Sequence, residues 1–406
     1  MIRSAEVMHL VARRAAEFGV EIDGSVRFNL ATAVARKDTV VQGIIGGIYG
    51  GLKRKQEAIT FIRGQAQFLN EHEVDTGSGR LSFEKAIIAT GARNVVPLIF
   101  RGEEEFDYLT NRTALQLEQL PASMIIIGGG YIGIEFAQMY GRFGTQVTLL
   151  GRNRQLAPGE DTELTSLLAD YLRDEGIDVR TSTPVVRVRA EGKEKVVTAL
   201  VDGAERDFRA ETVLLATGRV GNTDGLNVAA AGVEVARRGF VQVDEQLRTT
   251  QPHIWAIGDV KGGLMFTHVA TYDAPIAALN AVTGLNRTVD YRVVPRAIFC
   301  DPTLAAVGLT EAEARSQGID VVVGSVPADG ARAKAIGDNR GRLKAVVERQ
   351  TGQLLGFHIL AAHGDDLLHE AVTAMYDGGN IKRISKSIHI HPTLSEMVKT
   401  AAKAAR

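Results

Sequence analysis

The sequence predicts an α/β fold: two Rossmann-like domains with a three-layer β-β-α/α-β architecture, the first shortened at its N-terminus, and a C-terminal α+β domain. Two apolar, strand-like runs each end in Ala-Thr-Gly, at residues 89–91 and 216–218, as two copies of one α/β repeat would. A glycine fingerprint at residues 128–133 precedes the second Ala-Thr-Gly. The same spacing counted back from the first reaches residue 1, where no fingerprint stands.

Length and composition favour a multidomain protein of the cytoplasm. The 406 residues exceed what one hydrophobic core supports, so we expect about two to four domains. The 47 basic and 48 acidic residues create no net field that would attract nucleic acid or an anionic membrane, and we expect neither partner. The single cysteine, Cys300, excludes an intramolecular disulfide and suits a reducing compartment.

Hydrophobic periodicity predicts the elements of the first repeat. Apolar residues at helical spacing predict helices over 2–18 and 32–55. Short runs rich in β-formers predict strands over 60–62, 66–69, 72–74 and 85–89.

The second repeat alternates strands and helices, which favours a parallel sheet. Its fingerprint lies between a predicted strand and a predicted helix. The predicted elements are strands 124–127, 146–150, 179–180, 185–189, 196–201, 206–208 and 212–215, and helices 131–143 and 161–175.

The remaining chain changes to antiparallel patterns towards the C-terminus, where a capping box from Thr310 to Glu313 opens a helix. The predicted strands are 240–243, 253–257, 296–300, 305–308, 321–326, 343–349 and 354–360, and the helices are 272–282, 365–376 and 394–405. The predicted domains are 1–109, 110–221, 222–289 and 290–406, with the first and third forming one split domain.

Gly128, Gly130 and Gly133 form a GxGxxG that follows a strand and opens a helix. In such a turn the first glycine bends the chain, the second lets the backbone approach a pyrophosphate, and the third packs helix against strand. The helix N-terminus attracts the anion. This context predicts a dinucleotide site, the alternative being a chance glycine turn.

The end of the next strand selects between NADH and NADPH. An acidic residue there binds the ribose 2′-hydroxyl, whereas arginine accommodates a 2′-phosphate. Leu150 is followed by Gly-Arg-Asn-Arg, with no acid before Glu160. Arg152 and Arg154 therefore favour NADPH, with NADH as the alternative if both arginines only line a solvated loop.

Two further motifs admit a functional and a structural interpretation. Gly258-Asp259 ends a buried apolar run, where the carboxylate could hold a polyol hydroxyl or be an ordinary turn aspartate. Glu396 can hold His391 as a general acid–base, or the histidine can be purely structural.

The same segment offers other candidates. Thr393 or Ser395 could cap the final helix. His389 and His391 alternate along an extended chain and point to opposite faces, so we predict no metal site.

In this order, the motifs resemble the class I pyridine nucleotide-disulfide oxidoreductases, the family of glutathione reductase, dihydrolipoamide dehydrogenase and mercuric reductase. The resemblance covers essentially the whole chain. Residues 262–267 and 332–342 are most similar to the mercuric reductase-like branch, which includes reductases tied to reactive-chlorine and copper stress. The markers are residues 89–91, 128–135, 216–219 with Asn222, 256–259, and 391–393 with Glu396.

The resemblance implies FAD as a second cofactor beside the pyridine nucleotide. Asp259 would bind the FAD ribityl chain, Thr90 and Gly91 would line the adenine-side half of the flavin site, and Gly258 and Gly218 would belong to the cofactor site. Electrons would pass from NADPH through the flavin to a disulfide or a soft metal ion.

The resemblance also implies catalytic roles. Tyr131 would be an aromatic lid over the isoalloxazine that moves when the nicotinamide arrives. Glu135 would lie beside the flavin and pair with a lysine near the redox cysteines. His391 with Glu396 would exchange a proton with a redox thiol across a homodimer interface formed by residues 290–406.

The family begins with a strand, an FAD fingerprint, a cysteine pair and a lysine, and residues 2–6 resemble the helix that follows them. The resemblance therefore predicts that this opening segment is absent, and that Cys300 is a small core residue. The leading function is an FAD-dependent NADPH oxidoreductase. The alternatives are a truncated, non-catalytic nucleotide-binding or dimerising protein, and a one-cofactor dehydrogenase that uses residues 110–221.

Overall fold

The structure, a computed structural model, describes residues 1–100 and 106–405. The chain divides into two compact units, and the division falls within the second helix. The large unit comprises Met1–Arg36, Val96–Thr217 and Arg292–Arg406, and the small unit comprises Lys37–Val95 and Gly218–Tyr291.

The predicted long helices are all present. The helix expected over 2–18 is an α-helix that continues as a wider turn over Leu10–Arg14 and a tighter one over Ala15–Phe18. In chain order the α-helices are α1 (Ile2–His9), α2 (Leu30–Arg54), α3 (Asn111–Ala114), α4 (Tyr131–Phe143), α5 (Thr162–Asp174), α6 (Thr267–Thr283), α7 (Glu311–Ser316), α8 (Ala331–Ala335), α9 (Gly364–Tyr376), α10 (Lys382–Lys386) and α11 (Ser395–Ala404).

The strands, in chain order, are β1 (Gln67–Asn70), β2 (Glu73–Asp75), β3 (Arg80–Ser82), β4 (Ala86–Ile88), β5 (Ala92–Asn94), β6 (Ser123–Ile127), β7 (Gln146–Leu150), β8 (Asp178–Arg180), β9 (Val185–Glu191), β10 (Glu194–Val201), β11 (Ala204–Ala210), β12 (Thr212–Leu215), β13 (Arg219–Gly221), β14 (Ile254–Ala256), β15 (Arg296–Ile298), β16 (Thr303–Gly308), β17 (Val321–Pro327), β18 (Arg342–Glu348) and β19 (Leu354–Ala361).

A parallel sheet of order β12-β6-β7-β8 positions the glycine fingerprint in the large unit. Residues 124–127 of β6 are buried, as expected for a strand covered on both faces. Helix α4 begins after Gly130 and ends at Gly144, whose φ of +111° is a glycine conformation. The hydroxyl of the buried Tyr140 donates to the Ala114 carbonyl at 2.6 Å. This bond ties α4 to α3, and the buried apolar residues of α4 share one core with those of the sheet.

The C-terminal part of the large unit is an antiparallel sheet of order β15-β16-β19-β18-β17. Helices α9 and α11 pack on it, and their apolar residues join those of β18 and β19 in one buried core. The predicted capping box is confirmed, because the Thr310 hydroxyl accepts from the Glu313 N–H and the Glu313 carboxylate accepts from the Thr310 N–H. This part is the expected α+β domain.

The small unit contains the first Ala-Thr-Gly segment and the strands on either side of it. Strand β4, which precedes residues 89–91, pairs in parallel with β14. Strand β5, which follows residues 89–91, pairs antiparallel with β13, which follows residues 216–218. Gly91 has φ +72° and Gly218 has φ +110°, so both turns need glycine.

Two predicted strands were wrong. Residues 60–62 form no strand, and Phe61 is exposed, because β-type composition alone supplies no partner for the backbone. Residues 240–243 form only an isolated bridge from Val241 to Val235, and the Val241 N–H donates instead to the Val260 carbonyl. Both segments are bounded by loops.

Helix length and hydropathy bear on membrane association. Within residues 1–100 and 106–405, no helix combines the length and apolar character required to cross a bilayer.

A buried cluster of charged residues fastens α4 to the C-terminal part of the large unit. The Arg142 side chain, which is 3% exposed, makes a bidentate pair with Glu175 at 2.6 and 2.7 Å. Its third nitrogen pairs with Asp301 at 2.8 Å. Burial favours the neutral acid, but Arg142 and Arg340 hold the pKa of Asp301 below its ordinary value. The cluster therefore stays charged at neutral pH.

We predict that Glu175→Gln lowers the free energy of unfolding by about 3 kcal/mol. The buried guanidinium of Arg142 would then keep only one of its two carboxylate partners, Asp301. The matched control is Asp170→Asn on α5, the helix that Glu175 directly follows; the Asp170 carboxylate is 65% exposed and pairs with Arg173 at 2.8 Å. The control should change stability by less than about 0.5 kcal/mol. Urea denaturation followed by circular dichroism measures both, and equal shifts would contradict the prediction.

Candidate functional site

The glycine turn between β6 and α4 has a different constraint at each glycine. A Cβ on Gly128 would lie 2.1 Å from the Ala216 carbonyl oxygen, and a Cβ on Gly133 would lie 1.8 Å from that of Gly128. Apart from its two chain neighbours, no described residue has an atom within 4 Å of a Cβ on Gly130, which is the N-cap of α4. Two glycines therefore allow close packing, and the third leaves open space at a helix N-terminus, which suits a diphosphate.

The loop after β7 carries the arginines expected to bind a 2′-phosphate. Arg152 and Arg154 are exposed, and neither makes a hydrogen bond or ion pair within the described residues. The loop runs against the glycine turn, because the Ala157 N–H donates to the Gly129 carbonyl at 2.7 Å. Both guanidinium groups are thus free to meet an anion.

The first acidic residue after β7 is turned away from solvent. Glu160 is 7% exposed. Its Oε1 accepts from the Tyr131 hydroxyl and from Arg296 Nε, the latter at 2.6 Å. Burial, followed by the charge of Glu160, raises the pKa of the Tyr131 hydroxyl. Sequence reasoning missed this contact between three distant segments.

Glu135, the expected partner of a lysine, lies one turn further along α4. Its carboxylate accepts from the Phe299 N–H at 2.9 Å. Burial raises the pKa of this carboxyl, and the Phe299 N–H opposes the rise. Its hydrogen-bond partner among the described residues is thus backbone rather than lysine.

The small unit holds the residues expected near a flavin. The Thr90 hydroxyl donates to the Asn222 carbonyl and the Asn222 amide donates to the Thr90 carbonyl, both at 2.9 Å. The Asn222 N–H donates to the Gly91 carbonyl at 3.0 Å. These bonds fix the turn after β4 beside a cavity of about 580 Å³ lined by residues 64–66, Thr90, Arg93, Asn222 and 224–226.

Gly258 and Asp259 stand directly after β14, as predicted. Gly258 has φ +66°, and its N–H donates to the buried Asp273 at 3.2 Å. The Asp259 carboxylate is 22% exposed and pairs with Arg219 at 3.3 Å. An oriented, partly exposed carboxylate at this strand end fits a polyol chain.

The predicted His391–Glu396 pair forms within one chain. His391 Nδ1 lies 3.1 Å from both carboxylate oxygens, and the imidazole is 72% exposed. The Thr393 N–H, which donates to Glu396 at 3.0 Å, and then His391 lower the pKa of Glu396. An exposed imidazole with an oriented carboxylate can exchange protons through its other nitrogen.

The proposed helix caps were wrong. The N-cap of α11 is Leu394, without a side-chain cap. The Thr393 hydroxyl donates to the Ile390 carbonyl at 2.7 Å and lies 2.9 Å from that of Ser395, so local turn bonds take both hydroxyls.

A second histidine–carboxylate pair was missed. His389 Nε2 lies 2.9 Å from Glu370 on α9, and the imidazole is only 7% exposed. A residue on another helix cannot be assigned from local spacing. The two histidines have separate carboxylate partners, and the described residues contain no cluster of His, Cys, Asp and Glu that could hold a metal.

Cys300 is a core residue, as expected. It is buried with β15 and β16 residues, and its thiol donates to the Pro302 carbonyl at 3.2 Å. Burial raises its pKa to about 12, so the thiolate is disfavoured at neutral pH.

Comparison with known proteins places these features in a family. The family model described as pyridine nucleotide-disulphide oxidoreductase matches residues 8–274, and the model for that family's dimerisation domain matches residues 294–402. The chain belongs to this family. The predicted resemblance to the class I pyridine nucleotide-disulfide oxidoreductases is confirmed.

Similar relatives include a mercuric reductase of Bacillus cereus, 34% identical over 99% of this chain and 63% of that protein. A dihydrolipoyl dehydrogenase of Geobacillus stearothermophilus is 33% identical over 99% of this chain and 85% of that protein. The structure is similar to the HOCl-induced flavoprotein disulfide reductase RclA from Escherichia coli, with a TM-score of 0.87 at 31% identity over 100% of this chain and 90% of that one. These enzymes bear out the oxidoreductase family and its fold.

We predict opposite effects of methyl groups at two glycines of the fingerprint. Gly133→Ala should lower the free energy of unfolding by about 2 kcal/mol or more, because its Cβ meets the Gly128 carbonyl. Gly130→Ala should cost less than about 1 kcal/mol, yet weaken NADPH binding at least about tenfold by filling the space before α4. Urea denaturation and fluorescence titration with NADPH test the pair, and Gly130→Ala with unchanged affinity would contradict it.

Proposed function

We propose that the chain forms an FAD-dependent oxidoreductase that takes a hydride from NADPH and passes electrons to a disulfide or a soft metal ion. Membership of a flavoprotein disulfide reductase family supports the class of reaction. The preference for NADPH, the acceptor and the residue roles are parts of the proposal.

The observation that carries the proposal is the open glycine turn beside two exposed arginines. Gly130 leaves room for a diphosphate at the N-terminus of α4, whose dipole favours negative charge. Arg152 and Arg154 follow β7, where the adenosine ribose of a dinucleotide lies in such folds. The nearest acid, Glu160, accepts hydrogen bonds from Tyr131 and Arg296, so its carboxylate is not placed to bind a ribose 2′-hydroxyl. These features favour NADPH over NADH.

The small unit fits part of an FAD molecule. Thr90 and Gly91 lie in a rigid turn beside the large cavity, and Asp259 presents an oriented carboxylate. Asp259 would hold the ribityl hydroxyls, with Gly258 allowing close approach and Gly218 shaping the neighbouring turn. When bound, FAD supplies a two-electron carrier that links the nicotinamide to a disulfide or a metal-ion acceptor.

The chain's own acid–base groups suit an acceptor that gains protons. His391, oriented by Glu396, would move a proton to and from a thiol through its exposed nitrogen. Burial favours the neutral acid of Glu135, and the Phe299 N–H would hold this carboxyl in the N-terminal part of α4, near the bound nicotinamide. His391 is held through Nδ1, and its exposed imidazole leaves the other ring nitrogen available.

The acceptor and the assembly follow from similarity to named relatives. Mercuric reductase and a Cu(II) complex of RclA support a soft metal ion, and dihydrolipoyl dehydrogenase supports a disulfide. The dimerisation-domain match over residues 294–402 supports a homodimer in which His391 of one protomer serves its partner.

One observation favours a second candidate, a non-catalytic nucleotide-binding or dimerising protein. Cys300 is the only cysteine in these 406 residues, and its thiol is buried. No redox pair of cysteines is therefore assigned to them. Nucleotide binding without bound flavin would favour this candidate.

We predict that Arg152→Ala with Arg154→Ala raises the dissociation constant for NADPH by about tenfold to a hundredfold, because two charge-assisted contacts to the 2′-phosphate are lost. Affinity for NADH should stay within about twofold. Arg206→Ala, another exposed arginine in the large unit, is the matched control and should change neither. Fluorescence titration gives all constants, and equal losses for both coenzymes would contradict the assignment.

We predict that the purified protein binds FAD, and that Asp259→Asn weakens this binding at least about tenfold because a neutral amide replaces a charged acceptor of hydroxyl hydrogen bonds. The control, Glu234→Gln, alters an exposed acid in the same unit. Visible flavin absorbance after reconstitution and gel filtration measures retention. A colourless protein after reconstitution would contradict the flavin assignment. The nucleotide site is tested separately, by the NADPH titration.

A further inference from the structure

A cavity of about 600 Å³ lies between α1 and the beginning of α2 in the large unit. Its described lining comes from the segments 3–11 and 26–36, and none of the residues assigned above to NADPH or FAD belongs to it. Sites that hold small organic molecules enclose about 300 to 1,000 Å³. The cavity is therefore large enough for a ligand of its own.

Apolar side chains form one part of the cavity wall. Val7, Met8 and Val11 contribute to it from the first segment, and Val26 and Phe28 from the second. Val7 is 45% exposed and Val11 is 37% exposed. Isolated apolar residues on a surface need no explanation, but several that share one concave wall favour an apolar ligand.

The charged part of the wall is entirely basic. Arg3, Arg27 and Arg36 line the cavity, and its described lining contains no aspartate or glutamate. Arg3 pairs with Glu6 at 2.9 Å. Arg27 and Arg36 are exposed, and neither makes a hydrogen bond or ion pair with a described residue. Two available guanidinium groups beside apolar side chains are complementary to a ligand that is apolar except for one anionic group.

The wall is held in place by contacts within the protein. Phe28 stacks on the buried Phe143 of α4, with 3.9 Å between the ring centroids. The Asn29 side chain accepts from the Thr32 N–H at 3.0 Å and so fixes the first turn of α2. Ala5 anchors α1 in the same buried core as Phe143. Because the cavity exists before a ligand arrives, binding requires little ordering of the chain.

We propose that this cavity is a binding site for an amphipathic organic acid, a small molecule with one carboxylate or sulfonate group on an apolar or aromatic body. Arg27 and Arg36 bind the acid group, and Val7, Val11 and Phe28 contact the body. The site is additional to the coenzyme sites, and its occupation requires neither NADPH nor FAD.

A pair of fluorescent probes tests the predicted ligand chemistry on the full chain. Anilinonaphthalene sulfonate is an aromatic anion that becomes fluorescent in apolar surroundings, and N-phenylnaphthylamine has the same aromatic body without the sulfonate. We expect saturable binding of the anion, and at least about tenfold weaker binding of the neutral probe, which lacks the charge-assisted contacts. Absence of saturable binding, or equal affinity for both probes, would overturn the proposal.

Substitutions in the wall test the roles of the side chains. Arg27→Ala with Arg36→Ala should weaken binding of the anion at least about tenfold and leave the neutral probe within about twofold. Val7→Asp, at an exposed position, should weaken both probes because it removes an apolar contact and adds negative charge. The matched control, Arg13→Ala with Arg206→Ala, removes two exposed arginines that do not line the cavity. Equal effects of the two arginine double variants would reject the site.

A methionine of the wall shows where the anion binds. In protein with isotope-labelled methionine methyl groups, the Met8 resonance is assigned by its loss in Met8→Leu, and the Met397 resonance likewise. The anion should shift the resonance of Met8 and leave that of Met397, which is buried in the C-terminal core, unmoved. NADPH should not displace the anion. An unmoved Met8 resonance, or displacement by NADPH, would place the anion elsewhere and overturn the proposal.

A second copy of the chain is the other occupant that the experiment distinguishes. The titration is repeated over a range of protein concentrations, with the oligomeric state measured by sedimentation velocity. Affinity for the anion should not depend on protein concentration. A loss of affinity as dimers form would mean that a partner chain covers the cavity, and would reject the site. A wild-type protein that binds no NADPH would contradict the proposed function without affecting this result.

Discussion

The large unit depends on the attachment of one face of α4 to the segment that leads from β15 to β16. Residues at helical spacing along this helix each find a partner there or beside it, and the last of them, Arg142, is a buried charge enclosed by two carboxylates. Removing a guanidinium from water is costly, and the ion pairs of Arg142 with Glu175 and Asp301 compensate this cost. The contacts are Tyr131 through Glu160 to Arg296, Glu135 to Phe299, and Gln138 and Arg142 to Asp301.

This attachment determines the glycine turn as well, because the turn is the beginning of the same helix. A helix that is held along its length presents its N-terminal N–H groups at a fixed place. Gly133 then approaches the Gly128 carbonyl closely, and the space before Gly130 stays open. Binding of an anion at that place needs no ordering of the backbone, which reduces the entropy lost on association.

The site residues divide into fixed and exposed groups. Arg152, Arg154 and His391 face solvent, whereas Glu160 and His389 are buried and paired. Exposure leaves a charge or an imidazole available to a ligand, while burial with a partner holds the surrounding backbone. The same residue types therefore serve different purposes according to their surroundings.

The sequence was sufficient to predict those features whose residues lie within one short segment. Helix α4 was predicted over its observed residues, because glycines mark both ends and apolar residues recur at helical spacing between them. The His391–Glu396 pair was found for the same reason, since both lie in one short segment. The strands expected over 60–62 and 240–243 failed, because β-type residues do not reveal whether a partner strand exists.

Contacts between segments that are distant along the chain could not be predicted from the sequence. From the sequence, Glu160 was considered only as an acid too far beyond β7 to bind a ribose. Arg296 was not predicted to be its partner. Their link to Tyr131 joins segments that the fold, not the chain, brings together. Glu370 was missed in the same way, since it approaches His389 from another helix.

The loop after β7 has a further consequence for how such a protein can diverge. Its solvent-facing start can accept new side chains without disturbing any packed neighbour, while its buried end is tied into the sheet through Arg296. Under the proposed function, selection between phosphorylated and unphosphorylated coenzymes could shift by a few substitutions in the exposed part. The bond from the Tyr131 hydroxyl to Glu160 at the buried end would stay intact during such a change, so the start of α4 would keep its place.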